Sequence, residues 1–212
     1  AGCLASTTNS QRPLLILTCD VGHDRDGRGV LGIDALTGQV LWQHEVAGRP
    51  RADNLVAGDL DNDGRNEIVL ALELSNLPRG REVNGYLDSD SQIVVLNDDG
   101  SQRWSNIVSQ GPGGCEMVVV DANGEGPPEI VATHWTMPLP SGGVHIWNLS
   151  GELLDQYHST LQLTGIAALD SPAQKVPALL VSTSVGMLEV LRFEDDHLVR
   201  KMNLEFPYSC AI

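Results

Sequence analysis

Short apolar runs broken by polar turns recur along this chain. No stretch carries the 3.6-residue period of a helix of ten or more residues. Four segments share one pattern: GIDALTGQVLWQHEV (32–46), IVVLNDDGSQRWSNIV (93–108), HIWNLSGELLDQYHS (145–159) and VLRFEDDHLVRKMNL (190–204). In each, apolar residues stand at alternate positions on both sides of a polar turn, which is the mark of a β-hairpin. Gly38, Gly100 and Gly151 fall at equivalent turn positions, where glycine takes a positive φ without strain. The fourth copy has Asp196 or His197 there.

A second pair of strands precedes each hairpin. The pairs are NLVAGDL with EIVLALE, EMVVVDA with EIVATHW, and GIAALDS with ALLVSTS. The unit therefore reads strand, acidic loop, strand, variable loop, strand, tight turn, strand, and three units are complete between residues 54 and 205. The first unit has PLLILTC (13–19) and its hairpin; its leading strand is either GCLAST or the C-terminal YSCAI, which would close a ring. Four units share 212 residues, or 53 each. This predicts an all-β chain, a β-propeller or propeller segment of about four four-stranded blades at about 1–50, 51–110, 111–160 and 161–212. A sheet this small cannot bury both faces alone, and stacking against neighbours solves that.

Residues 59–67 read Asp-Leu-Asp-Asn-Asp-Gly-Arg-Asn-Glu. Asp59, Asp61 and Asp63 alternate, Gly64 permits a sharp turn, the Arg65 carbonyl is a further oxygen, and Glu67 closes the run. Ca²⁺ takes about six to eight oxygen ligands in flexible geometry, which suits such a loop. An EF-hand begins the same way but needs a bidentate acid at position 12 and flanking helices. Position 12 here is Leu70, inside a strand, and the acid stands at position 9. The loop is therefore expected to be a strand–loop–strand calcium site.

The window LVAGDLDNDGRNEIVLA resembles the FG-GAP/VCBS repeat, found in integrin α-chain propellers and many bacterial surface proteins. The resemblance covers three units well and the first in part. It implies an acidic Ca²⁺ loop between the first two strands of a blade, with Asp59, Asp61, Asp63, Arg65 through its carbonyl, and Glu67 as ligands. The third unit places Asp121, Asn123, Glu125 and Glu129 at the matching positions, with Gly126 in the turn and the Pro127 carbonyl in place of that of Arg65. The fourth keeps only Asp170, with Lys175 where glycine should stand, and is expected to hold no metal; the first unit lacks the motif.

The net charge of −15 disfavours nucleic acid as a partner. No apolar run is long enough to span a membrane as a helix. Cys3, Cys19, Cys115 and Cys210 form no CxxC pair; a Cys3–Cys210 disulfide and four free thiols are both open. Ala1-Gly2-Cys3 resembles the tail of a lipoprotein cleavage box, so a lipid anchor is an open possibility. Asp20, His23, Asp24 and Asp26 fit no ligand spacing and read as a solvated polar loop. The long loop 75–91 and the loop after His134-Trp135 join the same two strands of their units, and Trp135 is expected to pack beside a neighbouring blade. Asn148-Leu-Ser is a lone glycosylation sequon on a tight turn.

GIDALTGQVLW resembles quinoprotein propeller repeats in blade shape only. No nucleophilic triad order, P-loop, dinucleotide fingerprint or HExxH occurs. The expected function is a non-catalytic, calcium-stabilised interaction or scaffold module, extracellular, periplasmic or cell-surface. Its partner is a protein or glycan, or further chains that complete a larger assembly. The alternative is part of a polysaccharide lyase, for which Arg79, Arg81, His134 and Trp135 are the candidates.

Overall fold

A computed structural model describes residues 5–6, 13–20, 27–74, 80–111, 113–137, 141–170 and 175–205. Among these residues the structure is all-β, with strands and turns and no helix. Among the described residues no helix is long and apolar enough to cross a membrane. The strands form four antiparallel sheets of four, each drawn from one contiguous stretch of chain. The chain divides into two compact units, residues 1–113 and 114–212.

In the first unit, β1 (Ala5–Ser6), β2 (Leu14–Cys19), β3 (Gly29–Asp34) and β4 (Val40–Glu45) form one sheet in chain order. β5 (Arg49–Gly58) and β6 (Glu67–Glu73) begin the second sheet. A small hairpin, β7 (Glu82–Val83) and β8 (Tyr86–Leu87), interrupts it before β9 (Asp90–Asn97) and β10 (Gln102–Gln110) complete it. Valine and isoleucine fill β6 and β9, whose side chains are buried on both faces almost throughout. Leu14, Ile16 and Val30 of the first sheet join Ile68, Leu70, Leu72, Val94 and Leu96 of the second in one core. Trp42 of the exposed strand β4 lies over Gly32 and Gly100, and its indole N–H donates to the Asp98 carbonyl at 2.9 Å.

The second unit repeats the plan. β11 (Gly113–Val120), β12 (Glu129–Thr136), β13 (Ser141–Trp147) and β14 (Leu153–Ser159) form the third sheet. β15 (Leu163–Leu169), β16 (Ala178–Thr183), β17 (Met187–Glu194) and β18 (His197–Glu205) form the fourth. Val131, Val144 and Ile146 pack with Leu179, Val181, Leu191 and Phe193 between the two. The Leu198 N–H donates to Asp155 of β14, a link between sheets comparable to that of Trp42 and Asp98.

Gly38, Gly100 and Gly151 all have positive φ, and in the fourth hairpin Asp195 and Asp196 take the left-handed conformation. β1 pairs with β2, so residues from GCLAST supply a first strand to the first sheet. The C-terminal YSCAI, Cys3, Cys210, His23, Asp24, Asp26 and Arg79 lie outside the described residues. Asp20 is not merely solvated: it forms a bidentate ion pair with Arg49, at 2.8 Å for the shortest contact. Trp135 rests on Gly114 of β11 in its own sheet, where an added Cβ would stand 2.9 Å from the indole nitrogen. Cys19 and Cys115 take part in no disulfide.

Candidate metal centre

The loop between β5 and β6 is curled by its own side chains. Asp59 accepts from the Gly64 N–H at 3.2 Å, Asp61 from the Asp63 N–H at 3.2 Å, and Asp63 from the Arg65 N–H at 2.8 Å. Glu67, at the start of β6, accepts from the Leu60 N–H at 2.9 Å and so ties the end of the loop to its beginning. Asn62 and Gly64 supply the left-handed turns, with φ of 60° and 88°. Three carboxylates converge: one oxygen from each of Asp59, Asp61 and Glu67 lies within 4.8 Å of the others. Two ligand oxygens on opposite sides of Ca²⁺ stand about 4.8 Å apart, so all three can reach one ion. The all-oxygen donor set suits a hard cation. Asp63 and Arg65 are exposed at the rim, outside this cluster of three.

Electrostatics point the same way. Glu67 is 2% exposed, and burial raises its carboxyl above the usual range; Asp61 and Asp63 raise it further, against the Leu60 N–H and Arg103. Arg103, from β10, bridges the cluster, with one guanidinium nitrogen 3.0 Å from Glu67 and another 2.9 Å from Asp61. Its charge partly offsets the repulsion among the acids. Sequence reading missed Arg103, which lies 42 positions from Asp61. The one available hint was a lone cation in the hairpin of the same unit.

The loop between β11 and β12 repeats three of these bonds position for position. Asp121 accepts from the Gly126 N–H at 3.2 Å, Asn123 from the Glu125 N–H at 2.7 Å, and Glu129 from the Ala122 N–H at 2.8 Å. Burial again raises the terminal acid, Glu129, with Asp121 adding to the shift. The difference lies at the third position. The Asn123 amide donates to the second Glu129 oxygen at 2.6 Å, where the first loop brings in Arg103. Glu125 and Pro127 stand exposed at the rim. Lys175, from the loop between β15 and β16, lies against Gly124, whose φ is 72°.

Of the residues singled out for polysaccharide cleavage, Arg81, His134 and Trp135 lie among the described residues. The backbone N–H of Arg81 donates to the Asp88 carboxylate at 3.1 Å, and Trp135 covers Gly114. His134 stands with its ring 5.1 Å from that of His145, which stacks on Trp147 at 5.3 Å.

No family model and no curated protein matches the chain. Among solved structures it is similar to the Vibrio cholerae biofilm matrix protein Bap1, at 16% identity and a TM-score of 0.47. That match covers 97% of this chain and 39% of the Bap1 chain, so the chain spans well under half of that protein.

Proposed function

We propose that the chain is a run of propeller blades of the FG-GAP/VCBS kind, stabilised by Ca²⁺ in the loops 59–67 and 121–129. It serves as a non-catalytic interaction or scaffold module outside the cell, with a protein or glycan partner. One observation carries the reading. Two loops of different sequence, each between the first two strands of its sheet, fold their acids through the same three side-chain-to-backbone bonds. Such bonds leave further carboxylate lone pairs for an ion. Asp59, Asp61 and Glu67 would form the inner shell, with Asp63 and the Arg65 carbonyl at the rim. Asp121, Asn123, Glu125, Glu129 and the Pro127 carbonyl would do the same in the second loop. Millimolar extracellular Ca²⁺ suits loops of modest affinity.

Two assays test this together. Thermal unfolding is followed by circular dichroism in calcium and in EDTA, and a panel of polysaccharides is incubated with the protein under both conditions. The expected result is a calcium-dependent rise in melting temperature with the polysaccharides left intact. Calcium-dependent depolymerisation would replace the binding-module reading with the lyase.

A further inference from the structure

We propose that the cleft beside Glu189 in the second unit binds a neutral sugar unit of a glycan. β17 alternates, and Glu189 shares its core-facing side with Leu191 and Phe193, both buried in the apolar cluster. A carboxylate in that row is unfavourable unless it is well paired. Glu189 is 1% exposed, yet the Arg200 guanidinium stands 3.8 Å from one of its oxygens, beyond hydrogen-bonding length. The other oxygen, Oε2, is buried with no hydrogen-bond partner among the described residues. An orphaned acceptor of this kind calls for a donor from outside.

A cavity of about 490 Å³ lies at this point, lined by Glu189, Tyr157, His158, Thr160, Arg200 and Asn203. Its size falls within the range of small-ligand sites, roughly 300–1,000 Å³. Asn203 is the direct cross-strand partner of Glu189. The Tyr157 hydroxyl, from β14, accepts from Arg200 at 3.4 Å, and its pKa is raised by burial and by a hydrogen bond to the Glu189 carboxylate, so Oε2 is the acceptor left without a partner. The opposed charges of Glu189 and Arg200 favour neither an anion nor a cation. A sugar hydroxyl both donates and accepts: one donates to Oε2 while its neighbour accepts from Arg200, and the Asn203 amide takes either role. Arg200 is half-exposed on a long stem and can swing aside to admit the ring. The inference rests on the binding-module reading, in which it selects the glycan among the partners.

Saturation-transfer NMR on the full chain, with glucose, galactose, mannose and rhamnose at millimolar concentration, tests the site in calcium and in EDTA. We expect transfer to at least one sugar, abolished in Glu189→Leu. That substitution continues the Leu191–Phe193 row and leaves melting unchanged or higher. Asn203→Ala, on an exposed strand position, weakens binding about three- to tenfold, the loss of one hydrogen bond. Absence of transfer from all four sugars overturns the proposal, as does transfer that survives in Glu189→Leu. Should the leucine variant fail to fold, unchanged affinity in Asn203→Ala overturns it instead. The calcium arm separates the two readings. Sugar transfer without any calcium-dependent melting shift removes the metal sites and leaves this one, and calcium stabilisation without transfer does the reverse.

Discussion

Asp61 shares one centre with Asp59 and Glu67, whereas Asp170 stands exposed in a loop with no other acid. Asp61→Ala is therefore expected to lower the melting temperature in calcium by several degrees, and Asp170→Ala to leave it nearly unchanged. Differential scanning calorimetry of both variants checks this, and equal shifts would contradict the ligand assignment. A second residue-scale expectation concerns acid sensitivity. Burial, with His134 on β12 and His158 on β14, lowers the pKa of His145 to about 4, opposed by a hydrogen bond with Gln156. A base with a depressed folded pKa contributes stability above its ordinary value of 6.5 and loses it as the pH falls towards about 4. The melting temperature should fall across that window, and His145→Phe should flatten the fall. Parallel profiles for both proteins would assign acid sensitivity to other groups.

At the scale of the element, the hairpins were readable because their turns need glycine. Gly100 has a φ of 81°, and an added Cβ would stand 2.5 Å from the Trp42 ring; at Gly38 the φ is 73° and nothing lies within 4 Å. Gly38→Ala should cost about 1–2 kcal/mol from backbone strain alone. Gly100→Ala should cost roughly twice that or more, because Trp42 is also displaced. Denaturant unfolding of the pair measures the difference, and equal losses would remove Trp42 from the explanation. The acidic loop was readable for a similar reason: its alternation and its glycine are local. Arg103 was not, because an ion pair between residues 61 and 103 depends on the register of β9 and β10. Glu189 was hidden too, since an acid in a strand reads as solvent-facing until the sheet shows which side is covered. The β7–β8 hairpin did have a signal, the Asn84-Gly85 turn with φ of 52° and 82°. Arg103→Met leaves Asp61 and Glu67 without their internal cation. The metal-free protein should then melt lower, and the calcium-induced rise should exceed that of the parent chain. A smaller rise would show that Arg103 supports the site rather than compensating for an absent ion.

For the whole molecule, the repeat itself carried the fold. Four sheets follow one another along the chain, and each compact unit holds one acidic loop. The order of strands inside each sheet was legible from spacing, because consecutive antiparallel strands joined by short turns leave little freedom of topology. Which side chains meet between neighbouring sheets, as Trp42 meets Asp98, was not legible, since it depends on packing that no local pattern encodes. At a calcium concentration a hundredfold above Kd, one site adds about 2.7 kcal/mol. For a chain of this size that is roughly 5–10 °C in melting temperature. The decisive measurement is isothermal titration calorimetry of the metal-free protein with Ca²⁺. Saturable heat that shrinks in Asp61→Ala to the share of the 121–129 loop is the expected result; a titration with no binding heat, together with an unmoved melting temperature in calcium, would contradict the account.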